Sequence, residues 1–351
     1  MITKNPDTLE NIFSFPLLNL QNRKHTAFTQ NYKLKKPFTF VNNTTLLGIE
    51  LEVEQCPNCI DFDYFWTETV DHSLRNNGKE YISIPLRAKQ IPYAIEYLTD
   101  KLNYYNPMYK FSNRCSTHIH LNVKDFTEER LKVFILLYSI FEKHFFNIAG
   151  SKRESNIFCV PLYKTEELEK TINLLTDISI WNKYNALNLG CILGSNDNQK
   201  IGTIEFRHLY GTLDTDILYP WINSIIELRL ASLRYSYLDL IDKIQTLNTT
   251  SEYVALYKEV FKITALPLTF ITKLDFESCI TTTKLSLFKK LDITNTLIRK
   301  NYEKSFFASI FQPVLKTNSD TISQLYMNLL NSSSNQTVIF DDVMNHQPGL
   351  Q

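Results

Sequence analysis

The stretch Leu46-Leu47-Gly48-Ile49-Glu50-Leu51-Glu52-Val53-Glu54 sets the reading of the chain around it. Ile49, Leu51 and Val53 alternate with Glu50, Glu52 and Glu54, and a period of two belongs to a strand with one apolar and one charged face. Three further segments follow the same rule. Glu80–Ile84 is a short strand closed by Pro85. Ser116–Val123 places His118, His120 and Asn122 on one face and Thr117, Ile119, Leu121 and Val123 on the other. Ile201–Tyr210 puts Thr203, Glu205 and Arg207 together. Between these strands, Thr127 with Glu128 and Glu129 opens a long helix that Gly150 stops, and Thr165 with Glu166 and Glu167 opens a shorter one.

After Gly211 the pattern turns helical. A long amphipathic helix is expected over Asp216–Tyr235, with Pro220 in its first turns or kinking it. Further helices are expected over Ser251–Ile263, Thr283–Leu291, Thr296–Phe311 and Asp320–Leu330. The implied organisation is an N-terminal arm over 1–45, a strand-rich domain over 46–235, a helical region over 236–330 and a flexible tail over 331–351.

Composition narrows the function classes. Lys+Arg and Asp+Glu both number 37 in 351 residues, which argues against nucleic-acid binding driven by bulk charge. Met1–Leu20 is polar and interrupted by prolines rather than built as a secretory signal. The longest apolar run, Val133–Phe141, is too short to span a bilayer. Six scattered cysteines suggest no disulfide framework. A soluble protein of a reducing compartment, with no membrane or nucleic-acid partner, is expected. There are only 8 glycines, where average usage would give about 25. No glycine-rich phosphate loop is present, which excludes P-loop and Rossmann nucleotide binding.

The charged strand faces carry the chemistry. A face bearing Glu50, Glu52, Glu80, His118, His120, Glu205 and Arg207 cannot be dry core, because a buried carboxylate costs several kcal/mol unless paired or metal-bound. Carboxylates at alternate strand positions stand ~6–7 Å apart and can flank one or two hard cations. Arg207 beside Glu205 suits a clamp for phosphate or carboxylate. The opposite, apolar faces suit helices packed behind the sheet, which makes the fold class α+β.

Four segments resemble the amidoligase family of carboxylate–amine ligases, related to glutamate–cysteine ligase, glutamine synthetase and the prokaryotic ubiquitin-like protein ligases. They are Gly48-Ile49-Glu50-Leu51-Glu52; Val70-Asp71-His72-Ser73-Leu74 with Gly78-Lys79-Glu80-Tyr81-Ile82-Ser83-Ile84-Pro85; Cys115-Ser116-Thr117-His118-Ile119-His120-Leu121-Asn122; and Gly202-Thr203-Ile204-Glu205-Phe206-Arg207 with Gly211-Thr212. Lys152-Arg153 and Lys183-Tyr184-Asn185-Ala186-Leu187-Asn188 fall in familiar places. The resemblance covers residues 46–232. It implies a curved, mostly antiparallel sheet forming an active-site funnel, as in the glutamine-synthetase-like catalytic fold, with helices on the convex side. It also implies ATP and Mg²⁺ or Mn²⁺ as cofactors, an acyl-phosphate intermediate, and an amide or isopeptide product. Carried over by motif, Glu50, Glu52, Glu80 and Glu205 are metal ligands and Asp71 is the base that deprotonates the amine. Arg153 and Arg207 handle the phosphoryl group or a carboxylate and join in holding the nucleotide, His118 and His120 bind its phosphate or the metal, and Lys183 contacts nucleotide or substrate. The substrates are a carboxylate and an amine from among amino acids, peptide or protein termini and polyamines. The implied setting is a bacterial or phage-infected cytoplasm, and a homo-oligomer is left open.

Two other readings stand beside this one. His118-Ile119-His120 is also the type of motif that opens a zinc amidohydrolase barrel, but the further ligands of such a metal-dependent hydrolase are missing. A noncatalytic structural or assembly protein with a ligase-like fold is the other. Cys56-Pro57-Asn58-Cys59 has no second cysteine pair to complete a zinc site, and it reads as loop.

Overall fold

The computed structural model describes residues 8–12, 23–165, 168, 181–193, 201–264 and 279–287. The chain divides into two compact units, Met1–Thr283 and Lys284–Gln351, and the sheet lies in the first. Two short helices, α1 (Leu9–Ile12) and α2 (Arg23–Asn31), precede β1 (Leu46–Val53). Next come β2 (Trp66–Val70), β3 (Lys79–Ser83), β4 (Leu86–Arg87) and α3 (Ile91–Tyr105). After β5 (Thr117–Asn122) the chain forms α4 (Glu128–Ala149) and the single turn α5 (Ser151–Glu154). The remaining elements are β6 (Leu187–Asn188), α6 (Gly190–Leu193), β7 (Thr203–Phe206), α7 (Thr215–Ser232), α8 (Tyr237–Thr246) and α9 (Thr250–Val260).

The sheet runs β2-β3-β1-β5-β7-β6, with β4 also on β1. Every strand pairing in it is antiparallel. The architecture is α+β, with a mostly antiparallel open sheet and helices. The four strands expected from alternation are all present. Three more, β2, β4 and β6, carry no alternation that marks them: β2 is a five-residue strand, and β4 and β6 have only two residues each, too few for a period to show. Glu54, expected on the charged face, leaves it. The strand ends at Val53, and the Glu54 carboxylate accepts the Arg75 amide at 2.9 Å instead.

The dry face is the helix side. Leu47, Ile49, Leu51 and Val53 of β1 are at most 1% exposed, and Ile119, Leu121, Ile204 and Phe206 are fully buried. Phe206 meets Phe134, Tyr138 and Phe145 of α4 at ring separations of 6.2, 6.0 and 5.4 Å, and Trp221 of α7 packs on Phe145 at 5.4 Å. On the β2 side, the Trp66 indole N–H donates to Ala94 O of α3 at 2.8 Å. The N-terminal arm packs on this body, with Phe28 against Tyr64, Phe65 and Tyr97 at 4.6, 5.3 and 5.4 Å.

Helix α4 starts and stops where its end residues dictate. Thr127 accepts the Arg130 amide at the N-cap, and Glu128 and Glu129 sit at the positive end of the helix. Gly150 ends it at φ +90°, a backbone conformation that L side chains rarely adopt. A Cβ there would meet nothing within 4 Å, so Gly150→Ala tests backbone strain alone. It is expected to destabilise the protein by about 1–2 kcal/mol in urea denaturation.

The break expected at residue 235 is not a boundary between compact units. Arg130 donates to Ser232 O and Tyr235 O at 2.6 and 3.2 Å, Tyr253 OH donates to Ile140 O at 3.2 Å, and His144 pairs with Tyr257 OH at 2.8 Å. Residues of α8–α9 thus complete the packing around α4, which no local pattern announces. Of the helix expected over Thr283–Leu291, the described part is helical. Residues Glu166 and Glu167, the helices expected over Thr296–Phe311 and Asp320–Leu330, and the tail over 331–351 lie outside the described residues. Among the described residues no helix is long and apolar enough to cross a membrane.

Candidate active site

Residues directly opposite each other in neighbouring strands share a face. On β1, Glu50 stands opposite Ile82 of β3 and His118 of β5, and Glu52 stands opposite Glu80. On β7, Glu205 stands opposite His120 on one side and Asn188 of β6 on the other. The register therefore gathers Glu50, Glu52, Glu80, His118, His120, Asn188 and Glu205 on the face away from the helices.

The side chains converge around Glu50. Its carboxylate lies 3.3 Å from His118 Nδ1 and 3.0 Å from His120 Nε2. His118 Nδ1 is also 3.3 Å from Glu205 Oε1. Glu205 accepts from Arg207, and from the Asn188 amide at 2.7 Å. His120 Nδ1 is 3.1 Å from Thr203 Oγ1, which fixes the ring and turns its buried Nε2 toward Glu50. Arg207 Nε is likewise buried and unsatisfied.

The electrostatics follow from this crowding. Burial pushes the Glu50 carboxyl up, but the His120 charge and the hydrogen bonds from both histidines outweigh it and hold Glu50 well below the usual carboxylate range. Glu205 is lowered against its own burial by Arg207, His118 and His120. Burial opposes protonation of His120, yet Glu50 above all keeps its pKa well above the ordinary imidazole value. Burial raises Glu52 despite the neighbouring His118 charge. Glu80 is pushed up to about 8 by burial and then by the charges of Glu50, Glu52, Asp71 and Glu205. Four carboxyls, those of Glu50, Glu52, Glu80 and Glu205, thus crowd one face, and the strain of ionising Glu80 among the others is what a bound cation relieves.

Compared with models of protein families and with curated proteins, the chain finds no match. Among the described residues two donor sets fit a divalent cation: the ligand atoms of Glu50, Glu80 and His118 lie within 4.8 Å of one another, and so do those of Glu50, His120 and Glu205. Glu50 belongs to both. Carboxylates with imidazoles suit Mn²⁺ as well as Mg²⁺. The Nε2 of His120, aimed at the carboxylates with Nδ1 held by Thr203, is the arrangement of a ligating imidazole.

Each expected residue has a definite place. Glu50, Glu80, Glu205, His118, His120 and Arg207 come together. Glu52 shares the face but falls outside both donor sets, because its Oε2 accepts the Ser116 amide at 2.7 Å. The histidines, expected on phosphate or metal, stand among the cation donors. Asp71 follows β2 in a tight turn, with its two oxygens accepting from the Ser73 amide and hydroxyl at 2.8 Å each. Arg153 is 5% exposed and its guanidinium is engaged by protein oxygens. Lys183 lies over the Tyr184 ring at 5.4 Å, and of its segment it is Asn188 that reaches Glu205. Ser116 and Thr203 join the site through an amide and a hydroxyl, common polar groups that only their partners Glu52 and His120 make meaningful. Cys56 is buried and Cys59 exposed, and both are free thiols.

Beside Glu50 and His120 the same face opens into a recess with a volume of about 180 Å³. Leu46, Gly48, Ile82, Pro85 and Ile201 line it together with Asn122 and Thr203. The Asn122 carbonyl oxygen is buried there without a partner.

Proposed function

We propose that the protein is an ATP- and divalent-metal-dependent carboxylate–amine ligase that forms an amide or isopeptide bond through an acyl phosphate. The observation that carries this reading is the meeting of Glu50, Glu80, Glu205, His118, His120 and Arg207 on one face of the sheet, beside an apolar recess. A glutamine-synthetase-like curvature of the sheet into a funnel is part of the same proposal. The cytoplasm is its setting.

Phosphoryl transfer needs positioning and charge neutralisation more than covalent help. Cations held by Glu50 with Glu80 and His118, and by Glu50 with His120 and Glu205, supply that neutralisation when bound. The recess takes the flat base of the nucleotide, and the free Asn122 oxygen accepts from its amino group. Arg207, anchored on Glu205, presents its remaining donors to the transferring phosphoryl group or the substrate carboxylate. A substrate carboxylate oxygen attacks the γ-phosphorus, the bond to the β-phosphate oxygen breaks, and ADP leaves. The amine then attacks the acyl carbon, Asp71 takes the proton that the new C–N bond displaces, and phosphate departs with the C–O electron pair.

Calorimetry of ATP binding with and without Mg²⁺ or Mn²⁺ tests the reading, followed by a screen of carboxylate and amine pairs for ADP release. ATP binding that needs the cation, with ADP release for one substrate pair, is the expected result. A folded protein that binds no ATP under either condition overturns it and leaves the noncatalytic assembly protein as the reading to pursue.

A further inference from the structure

Arg153 reaches the edge of the site from behind the sheet. Gly150 turns the chain at the end of α4, and the one-turn α5 delivers the guanidinium inward, where it is 5% exposed. Its donors go to protein: Nε to His208 O at 2.6 Å, and Nη2 to Arg207 O at 2.8 Å and to Ser116 Oγ at 3.1 Å. Both carbonyls belong to the segment that leaves β7, and the second is that of Arg207 itself. Ser116 is the residue just before β5. Its amide donates to Glu52 Oε2 at 2.7 Å, and its carbonyl accepts the Glu52 amide at 3.0 Å. One buried cation thus ties together the backbone of Arg207, the entry to β5 and, through Ser116, both the backbone and the carboxylate of Glu52. Arg207 in turn bonds Glu205, a member of one donor set.

We infer that Arg153 and Ser116 are positioning residues: they set the places of Arg207, Glu205 and Glu52 for cation and phosphate binding without touching substrate. The inference rests on the ligase reading for what is bound. The physical reason is that a ligand group aids binding only when its own orientation is already fixed, and partners outside the ligand set typically affect metal affinity by ~10–100-fold. Arg153 suits this role because its planar fork satisfies two carbonyls and a hydroxyl at once, which an ammonium on a flexible stem does not.

The protein offers a matched control. Arg130 also donates to two backbone carbonyls, Ser232 O and Tyr235 O, away from the carboxylates. Mn²⁺ binding is measured by calorimetry and by the spectrum of bound Mn²⁺, on the full chain, with thermal melting alongside. Arg153→Met is expected to weaken Mn²⁺ by ~10-fold or more and to broaden the bound-ion spectrum, with Arg153→Lys in between. Arg130→Met is expected to lower the melting temperature while Mn²⁺ affinity stays at the wild-type value. Should Arg153→Met fail to fold, Ser116→Ala carries the test, because it removes only the hydroxyl acceptor; about threefold weaker Mn²⁺ is expected. Wild-type affinity in Arg153→Met, or in Ser116→Ala where it stands in, overturns the inference alone. Wild type that takes up no Mn²⁺ overturns the ligase reading and the inference with it.

Discussion

Glu50→Gln is expected to lower Mn²⁺ affinity and ATP turnover together, each by ~10³-fold. Glu50 is the one carboxylate common to both donor sets, so a single substitution reaches both. Gln keeps the shape but replaces an anionic oxygen with a neutral amide, and the neutralisation lost in phosphoryl transfer is worth several kcal/mol, where 1.4 kcal/mol is tenfold. Loss of the charge also leaves His118 and His120 facing an amide rather than a carboxylate. The comparison is Glu68→Gln. Glu68 lies on the helix face and pairs with Lys79 at 2.8 Å, with both side chains about 10% exposed. Breaking that pair strands a buried ammonium and is expected to cost stability, not Mn²⁺ binding. Equal Mn²⁺ affinity in Glu50→Gln and wild type, measured by calorimetry, would place the cation elsewhere.

Cation binding is expected to strengthen with pH, by about tenfold per unit, up to about pH 8. A ligand must shed its proton before it can bind, so metal affinity follows the deprotonated fraction. Without metal, Glu80 holds its proton until about pH 8 because it is buried beside other carboxylates. His120, kept charged by Glu50, must likewise lose a proton before it can serve the other donor set. The sign for the metal-free protein is the companion result. A carboxyl whose folded pKa lies above its unfolded value favours folding least at high pH, so the Glu80 contribution is lost as pH rises through about 8. His120, raised in the same way, loses its contribution in the same direction. Between pH 7 and 9 the buried His144 and His208, both lowered by burial, are neutral folded or unfolded and do not oppose this trend. Melting without metal is therefore expected to move to lower temperature from pH 7 to 9, and Mn²⁺ to reverse the shift. Titrations of Mn²⁺ at pH 6, 7 and 8 check the affinity directly, and a flat profile would remove Glu80 and His120 from the ligands.

The candidate site was largely legible as a set of residues and less so as an arrangement. Four alternating strands marked their own polar faces, and each of those strands is present. The helix after Thr127 was legible because its cap, its acidic first turn and its glycine stop are local signals. Strand β6 was not, since two residues cannot show a period, and with it the Asn188 contact to Glu205 stayed hidden. The unity of residues 236–264 with the sheet domain was missed for another reason. It depends on contacts such as Tyr253 to Ile140, between residues 113 apart.

What the sequence by itself determined is the parity of each strand. Successive side chains point to opposite faces by covalent geometry, so Glu50 with Glu52, His118 with His120, and Thr203 with Glu205 had to share a face wherever those strands lay. What only the tertiary structure decided is which of these residues meet. Glu50 joins His118 across 68 residues of chain, and Glu52 is turned aside to the Ser116 amide. Arg153 is drawn inward to carbonyls that lie about 55 residues further on. Register between distant strands is chosen by which pairing buries the apolar faces against the helices and satisfies the backbone, and neither condition can be read from one segment alone.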